Sequence, residues 1–290
     1  MTADMPKCLV DENRMKPMDL AVLTSEQIAA LRELSEIWPE NHAVIIGATA
    51  LGFYHDMRWR KTADIDLAVS LEFDDFPGNL RDRPGWQQHP TRAHEFLSPS
   101  GVKIDLLPAG ERLLEQGQLQ WPSGHVMNLV GMELAFMHAE RHEVIDDCRV
   151  GVAPPAVLTV LKMASYCDRP DERERDLEDI AHLLEFYVDE DSDRRWEEAG
   201  DGVEFELAPA YLLGLDIGRL TDDSHRGLID MFLARVSDPE SLPHAVMKQR
   251  GPGRWKSIGD ALPGRLNAFV TGLYAGAAQA PGGMPGRPGS

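Results

Sequence analysis

The sequence predicts an α/β (α+β) fold: a small mixed β-sheet lobe followed by a helical C-terminal lobe. Short apolar runs bounded by turn residues occur in the first half of the chain, whereas apolar residues at helical spacing recur through the second half. This change of pattern divides the chain into a flexible arm, an α/β domain, a helical domain and a disordered tail, at residues 1–20, 21–150, 151–278 and 279–290.

The α/β domain opens with a predicted helix and a predicted strand. Thr24 and Gln27 form a capping-box pattern at the start of SEQIAALRELSEIW, whose apolar residues recur at helical spacing. The apolar run AVII, residues 43–46, predicts a strand. It ends in the small residues GAT, which predict a tight turn into a helix through ALGFYHDM.

Two further strands, at 64–69 and 102–107, carry acidic residues in alternation with apolar ones. Because successive side chains of a strand face opposite sides, Asp64 and Asp66 project from one face while their apolar neighbours enter the core. In the second strand, Asp105 projects from the polar face in the same way. If the two strands are neighbours, three carboxylates converge.

Convergence of three carboxylates predicts a metal site. Each ionised pair about 4 Å apart repels by roughly 1 to 4 kcal/mol, depending on the effective dielectric, so a cation must offset the repulsion. Mg²⁺ suits such a site because it takes hard oxygen ligands from a few carboxylates together with substrate phosphates. Two such ions would serve an attacking hydroxyl and a departing pyrophosphate.

Helical patterns dominate the second lobe. A helix is expected to begin near Pro154 and to run through PPAVLTVLKMASY, because proline is tolerated in the first turn. The next segment, RDLEDIAHLLEFY, places one apolar stripe along a second amphipathic helix. The acidic run DEDSDRRWEEAGDG is expected to be a solvated loop, and residues 208–237 and 257–276 are expected to be helical.

Composition limits the classes of function. The net charge of −19 argues against broad, nonspecific adhesion to nucleic acid, which rests on many Lys and Arg contacts to phosphate. A local basic surface near the C-terminus, or simply a solvated helix and tail, would account for a group of six basic residues: Lys248, Arg250, Arg254, Lys256, Arg265 and Arg287. The three cysteines have no metal-type spacing. With no apolar run long enough for a membrane span, we expect a cytoplasmic protein.

Several spaced motifs together resemble one superfamily. They are GATALGFYHDMRWRKTADIDLAV at 47–69, KID at 103–105, Lys162 in VLTVLKMASY, and RERDLEDI at 173–180. This set resembles the nucleotidyltransferase superfamily that includes DNA polymerase β, and within it the AbiEii-type and MenT-like toxins of bacterial toxin–antitoxin pairs. The resemblance covers roughly residues 40 to 190.

The resemblance implies roles for particular residues. Asp64 and Asp66 would bind Mg²⁺ or Mn²⁺, and Asp105 would bind metal or act as base on the acceptor hydroxyl. Lys162 would pair with phosphate, and Asp176 or Asp179 would orient Lys162 or the acceptor. The nucleotide-binding set would comprise Gly47, Ala48, Thr49, Arg60, Thr62, Lys162 and Asp179. Many members have Ser where this chain has Ala48, so a hydroxyl contact to phosphate would come from Thr49 or be absent.

Plainer interpretations of the same residues remain open. Lys162 could extend from an amphipathic helix into water. Asp176 and Asp179 could form surface ion pairs with Arg173 and Arg175, three and four residues before them. A separate HAERH segment places His138 and His142 four apart on an expected helix near Glu133 and Glu140, but it lacks the acidic residue after the first His that the zinc-hydrolase motif requires.

The resemblance implies an enzyme that moves a nucleoside monophosphate from a nucleoside triphosphate to an acceptor hydroxyl, such as the 3′ end of tRNA, with an antitoxin as partner. A first alternative keeps the chemistry but takes a cationic small molecule of the aminoglycoside type, which suits an acidic protein. A second alternative is a catalytically idle module that binds nucleotide or a partner protein.

Overall fold

The computed structural model describes residues 23–38, 42–57, 62–75, 78–145, 148–200, 202–253, 255 and 261–280. The strands are β1 (Ala43–Ile46), β2 (Asp64–Val69), β3 (Gln87–Gln88), β4 (Glu95–Leu97), β5 (Lys103–Pro108), β6 (Gln118–Gln120), β7 (Val126–Asn128), β8 (Glu140–Ile145) and β9 (Cys148–Val152). Seven of them form one sheet in the order β3-β4-β5-β2-β1-β9-β8, while β6 and β7 form a separate hairpin. Since β2 is parallel to β5 and antiparallel to β1, the predicted mixed sheet is confirmed.

The three strands predicted from the sequence form the centre of the sheet. Their apolar residues, among them Ile65, Leu67 and Ile104, are buried, and removing this surface from water stabilises the sheet. Strands β3 and β4 were not predicted. They have only two and three residues, too few for an alternating pattern to stand out.

The helices are α1 (Ser25–Ile37), α2 (Gly47–Leu51), α3 (Gly78–Arg81), α4 (Glu111–Gln116), α5 (Met132–His138), α6 (Pro155–Asp168), α7 (Glu174–Phe186), α8 (Arg194–Glu197), α9 (Ala208–Leu220), α10 (Asp223–Val236), α11 (Leu242–Arg250) and α12 (Leu262–Gln279). The capping box predicted at Thr24 is present. Helix α6 begins directly after Pro154, as expected.

Several predicted boundaries in the helical part need correction. The expected helix at 208–237 is two helices, because Asp222 caps a new one with its side chain. The acidic run is more than a solvated loop: it contains α8, and buried Arg195 donates hydrogen bonds to main-chain oxygens. Helix α12 extends through Gln279, whereas the predicted arm and residues 281–290 lie outside the described residues.

Helix α6 joins the sheet to the helical part of the molecule. It packs on α2 and α5, which belong to the sheet part, and also on α7, α9 and α10. One continuous hydrophobic cluster includes residues of the sheet and of the C-terminal helices, so the division at residue 150 into two domains stays a prediction. Within the described ranges, no helix has the length and apolar character to cross a membrane.

Candidate active site

Acidic side chains form a row across three neighbouring strands. Asp66 on β2 is the register partner of Asp105 on β5, and Asp105 is in turn the partner of Glu95 on β4. Register partners project from the same face of a sheet. Asp64 lies two residues before Asp66 and therefore shares that face. The three aspartates predicted from alternation thus lie together, and the row gains a fourth carboxylate, Glu95, that sequence analysis missed.

Gly47 brings the backbone close to this row. It lies at the junction of β1 and α2 with a φ of 71°, a left-handed conformation that favours glycine. A Cβ atom at Gly47 would overlap the carboxylate of Asp66. Glycine is therefore required at position 47, because any larger residue would overlap the carboxylate of Asp66.

The environment of Asp66 disfavours a bare negative charge. The pKa of Asp66 is raised from 3.8 to about 7, chiefly by burial and further by the negative charges of Asp105 and Asp64, although Lys162 and Arg173 act in the opposite direction. Each source of the rise penalises the ionised form. A cation close to the three aspartates would relieve the penalty.

Lys103 supplies one positive charge within the row. Its Nζ lies 3.0 Å from Asp105 Oδ2, 3.4 Å from Asp64 Oδ2 and 3.5 Å from Glu95 Oε2. Burial alone would lower the pKa of Lys103, but these carboxylates raise it above its ordinary value. The alternation of β5 already placed Lys103 on the same face as Asp105, so its contact with that residue was accessible from sequence.

A second charged group lies where α6 meets α7. Lys162 Nζ is 2.6 Å from Asp179 Oδ2 and 3.2 Å from Asp176 Oδ1. Lys162 is 5% exposed, and the two aspartates are 7% exposed or less. The interpretation of Lys162 as a solvated surface residue is therefore wrong, and both aspartates pair with Lys162 across the helices instead of forming only surface pairs with Arg173 and Arg175.

The other predicted nucleotide-binding residues have different positions. Ala48 and Thr62 line the cleft beside the aspartates. Thr49 is buried, and its hydroxyl donates to the main-chain oxygen of Asp64 at 2.7 Å, which ties α2 to β2. Binding of phosphate by Thr49 would require that bond to be exchanged. Arg60 lies outside the described residues, and its predicted role stays a prediction.

The carboxylate row and Lys162 face one cleft of about 800 Å³. Residues of the sheet and residues of α6 and α7 both line it. Of the predicted site residues, the lining includes Gly47, Ala48, Thr62, Asp64, Asp66, Asp105, Lys162 and Asp176. Asp179 lies behind Lys162 instead, so its contribution would be to hold that residue. The lining also includes Arg92, Lys103, Arg169, Arg173 and Arg175, so with Lys162 it holds six basic residues against seven acidic ones.

The C-terminal basic residues do not form one surface among the described positions. Arg265 is buried against Glu185, and Arg250 pairs with Glu174 at 2.6 Å. Positions outside the described residues hold Arg254, Lys256 and Arg287. Neither Arg250 nor Arg265 is therefore placed for contact with an anionic ligand without breaking its ion pair.

The HAERH segment is not the helix that was expected. Helix α5 ends at His138, and His142 lies on β8. There His142 Nε2 is 3.3 Å from the hydroxyl of Tyr54. Because the chain changes from helix to strand between the two histidines, they do not share one helical face as a helix-borne metal pair would.

The aspartates suit a hard divalent cation, but they do not form a ready ligand shell. Asp105 Oδ1 is buried and has no hydrogen-bond partner among the described residues, and Asp66 has the raised pKa given above. Among the described residues, no group of three or more His, Cys, Asp or Glu is arranged to hold a metal ion. The ammonium group of Lys103 contacts both Asp64 and Asp105. The oxygen ligands therefore fit Mg²⁺ or Mn²⁺ on condition that Lys103 moves.

Comparison with known proteins gives one family. The family model described as "Nucleotidyl transferase AbiEii toxin, Type IV TA system" matches residues 29–248, well over half of the 290-residue chain. The match includes the three aspartates, Lys162 and α7. No curated protein matches the chain.

Proposed function

Since the chain belongs to the AbiEii nucleotidyl transferase toxin family of type IV toxin–antitoxin systems, we propose that it transfers a nucleoside monophosphate from a nucleoside triphosphate to an acceptor hydroxyl, with Mg²⁺ or Mn²⁺ bound by Asp64, Asp66 and Asp105. The register pairing of Asp66 with Asp105 carries the proposal, because it aligns two of the acids on one face of the sheet. The family supports nucleotidyl transfer; the metal dependence rests on the carboxylates.

The chain's own residues would bind and orient the triphosphate. Lys162 neutralises charge on the phosphates from the α6 side of the cleft, while Asp176 and Asp179 hold its ammonium group in place. Gly47 lets the backbone and Asp66 approach each other closely. A divalent ion held by Asp64, Asp66 and Asp105 would supply Lewis-acid charge to the phosphoryl group.

For the acceptor we propose RNA, such as the 3′ end of tRNA, rather than a cationic aminoglycoside. Although the whole lining holds seven acidic and six basic residues, Arg169, Arg173 and Arg175 all belong to the short segment between the end of α6 and the first turn of α7. Local cations attract polyanions even on an acidic protein, because electrostatic attraction acts over about 10 Å at ordinary salt. The enzyme would act in the cytoplasm, where triphosphates and tRNA occur, and a cognate antitoxin would restrain it.

The direct test is transfer of label from each of four α-³²P nucleoside triphosphates, with Mg²⁺ or Mn²⁺, to purified tRNA, total RNA or an aminoglycoside panel. We expect label in RNA and release of pyrophosphate. Asp66→Asn should abolish both without unfolding the protein, because it removes a charged ligand while keeping the side chain's shape. Thr91→Ala, at an exposed residue of the cleft lining that makes no contact with the aspartates or Lys162 given above, serves as a control and should retain transfer.

Three outcomes would contradict this proposal. Full transfer by folded Asp66→Asn would remove the role of the aspartates. Label in an aminoglycoside but not in RNA would show that the acceptor is the small molecule and not RNA. Triphosphate binding without pyrophosphate release across all acceptors would indicate an idle nucleotide-binding module.

A further inference from the structure

Lys103 lies where a divalent cation would compete with it. Its ammonium group contacts Oδ2 of both Asp64 and Asp105, and these two residues are also proposed metal ligands. Asp64 and Lys103 are register partners on β2 and β5, so the sheet itself sets this contact. An ammonium group and a divalent ion cannot both lie against the same carboxylate oxygens without strong repulsion.

A second position for the ammonium group is already within reach. Glu95 Oε2 lies 3.5 Å from Lys103 Nζ, on the far side of Asp105 from Asp66. Arg92 binds the same carboxylate at 2.9 Å. Glu95 therefore already accepts contacts from two cationic side chains, and it can keep the ammonium group of Lys103 in the row after that group leaves Asp64 and Asp105.

We propose that Lys103 is a positioning residue that neutralises Asp64 and Asp105 in the metal-free protein and moves onto Glu95 when a divalent cation binds. The inference rests on the proposed function, because it concerns the same metal ligands. It accounts for the contact of one ammonium group with two of the proposed metal ligands and with Glu95.

The first test measures binding of Mn²⁺ alone by isothermal titration calorimetry, together with the melting temperature with and without Mn²⁺. Lys103→Met should bind Mn²⁺ about tenfold more tightly than the wild type, because a unit charge at this distance is removed from the metal site. Without metal it should melt at a lower temperature, and Mn²⁺ should restore more of its stability. Lys103→Gln provides a second neutral variant if Lys103→Met does not fold.

Arg92→Met is the matched control, since it removes one positive charge from the same row but pairs with Glu95 rather than with the proposed ligands Asp64 and Asp105. Its Mn²⁺ affinity should change by less than about threefold. Unchanged or weaker Mn²⁺ binding by both neutral Lys103 variants would overturn the inference. An equal gain of Mn²⁺ affinity in Arg92→Met would also overturn it, because the effect would then come from the net charge of the row and not from contact with the metal ligands.

A double-mutant cycle tests the movement onto Glu95. Glu95→Gln should weaken Mn²⁺ binding in the wild-type background, because Lys103 loses its alternative partner. In the Lys103→Met background the same change should have less than half of that effect, measured as the ratio of dissociation constants. Equal weakening in both backgrounds would show that Glu95 acts only through its charge and would overturn the proposed movement.

The outcomes separate this inference from the proposed function. If the wild type binds Mn²⁺ and transfers label, but the neutral Lys103 variants bind no more tightly, only the role of Lys103 fails. If neither the wild type nor any Lys103 variant binds Mn²⁺ with triphosphate present, metal binding by the aspartates fails and the inference falls with it.

Discussion

The two ends of α7 hold buried charges in contrasting surroundings. Near its N-terminus, Asp176 and Asp179 contact Lys162, which lines the cleft. Near its C-terminus, Glu185 is fully buried and accepts a hydrogen bond from Arg265 of α12. The first group faces a cavity large enough for a ligand, whereas the second is enclosed by packed helices.

This contrast shows that a buried ion pair does not by itself mark a functional site. Charges are costly to bury, and a pair seldom stabilises a protein more than apolar residues of the same shape would. Lys162 differs from Arg265 because its charge also reaches the cleft: it lowers the pKa of Asp66, against the effect of burial. Loss of Lys162 should therefore impair activity as well as stability, because it also leaves Asp176 and Asp179 unpaired, whereas loss of Arg265 should impair stability alone.

The largest effect is expected on activity, from Lys162→Met. Loss of this charge beside the phosphates should lower kcat/KM by about 10²- to 10³-fold, the range typical for removal of one electrostatic stabiliser. Asp176→Asn should lower it less, because Asp179 still holds the ammonium group at 2.6 Å. Pyrophosphate release, normalised to the folded fraction seen by circular dichroism, measures both. Activity of Lys162→Met within threefold of the wild type would contradict the role.

At the other end of α7, Arg265→Met should act on stability alone. It removes a cation from the buried carboxylate of Glu185, to which Trp255 also donates at 2.7 Å, and should lower the free energy of unfolding by about 3 to 5 kcal/mol. Activity per folded molecule should be unchanged. Urea denaturation measures the free energy of unfolding.

Arg83→Met provides the control for Arg265→Met. Arg83 pairs with Glu36 at 3.6 Å, and both side chains are exposed. An exposed pair contributes at most about 1 kcal/mol. If Arg83→Met and Arg265→Met lowered the free energy of unfolding by the same amount, burial would not be the reason for the effect. The contrast between the two ends of α7 would then lose its physical basis.

Much of the cleft could be predicted from local pattern. Alternation in DIDLAV and KIDLL fixes which face each aspartate takes, and the helical stripe fixes α7, so the convergence of Asp64, Asp66 and Asp105 followed once β2 and β5 were assumed to be neighbours. Glu95 was missed because β4 has three residues, and its pairing with Asp105 depends on long-range register that no local pattern encodes.

The packing of the C-terminal helices was beyond sequence analysis for the same reason. Gly214 and Gly218 of α9 face Gly272 and Gly276 of α12, and a Cβ atom at any of the four would overlap the backbone of the opposite helix. Each pair is spaced four residues apart. Glycine inside a helix normally costs stability, so the spacing gains meaning only when the partner helix is known.

That close contact gives a smaller predicted effect than the buried ion pair. Gly272→Ala should lower the free energy of unfolding by about 1 to 3 kcal/mol, because its methyl group would overlap the main-chain oxygen of Tyr211 and force α12 away from α9. Since α12 also carries Arg265, the loss should add less than fully to that of Arg265→Met in the double variant. Urea denaturation of the three proteins measures this coupling.

Gly227→Ala separates the effect of contact between helices from the effect of replacing glycine inside a helix. Gly227 lies within α10, and a Cβ atom there would meet nothing within 4 Å. The alanine should stabilise the protein by roughly 0.5 to 1 kcal/mol, because it reduces the freedom of the unfolded chain. If Gly227→Ala raises the free energy of unfolding while Gly272→Ala lowers it, the loss at Gly272 comes from contact between the helices. If both variants were stabilised, α9 and α12 could not be as close as described, and the enclosure of Glu185 by α12 would have to be reconsidered.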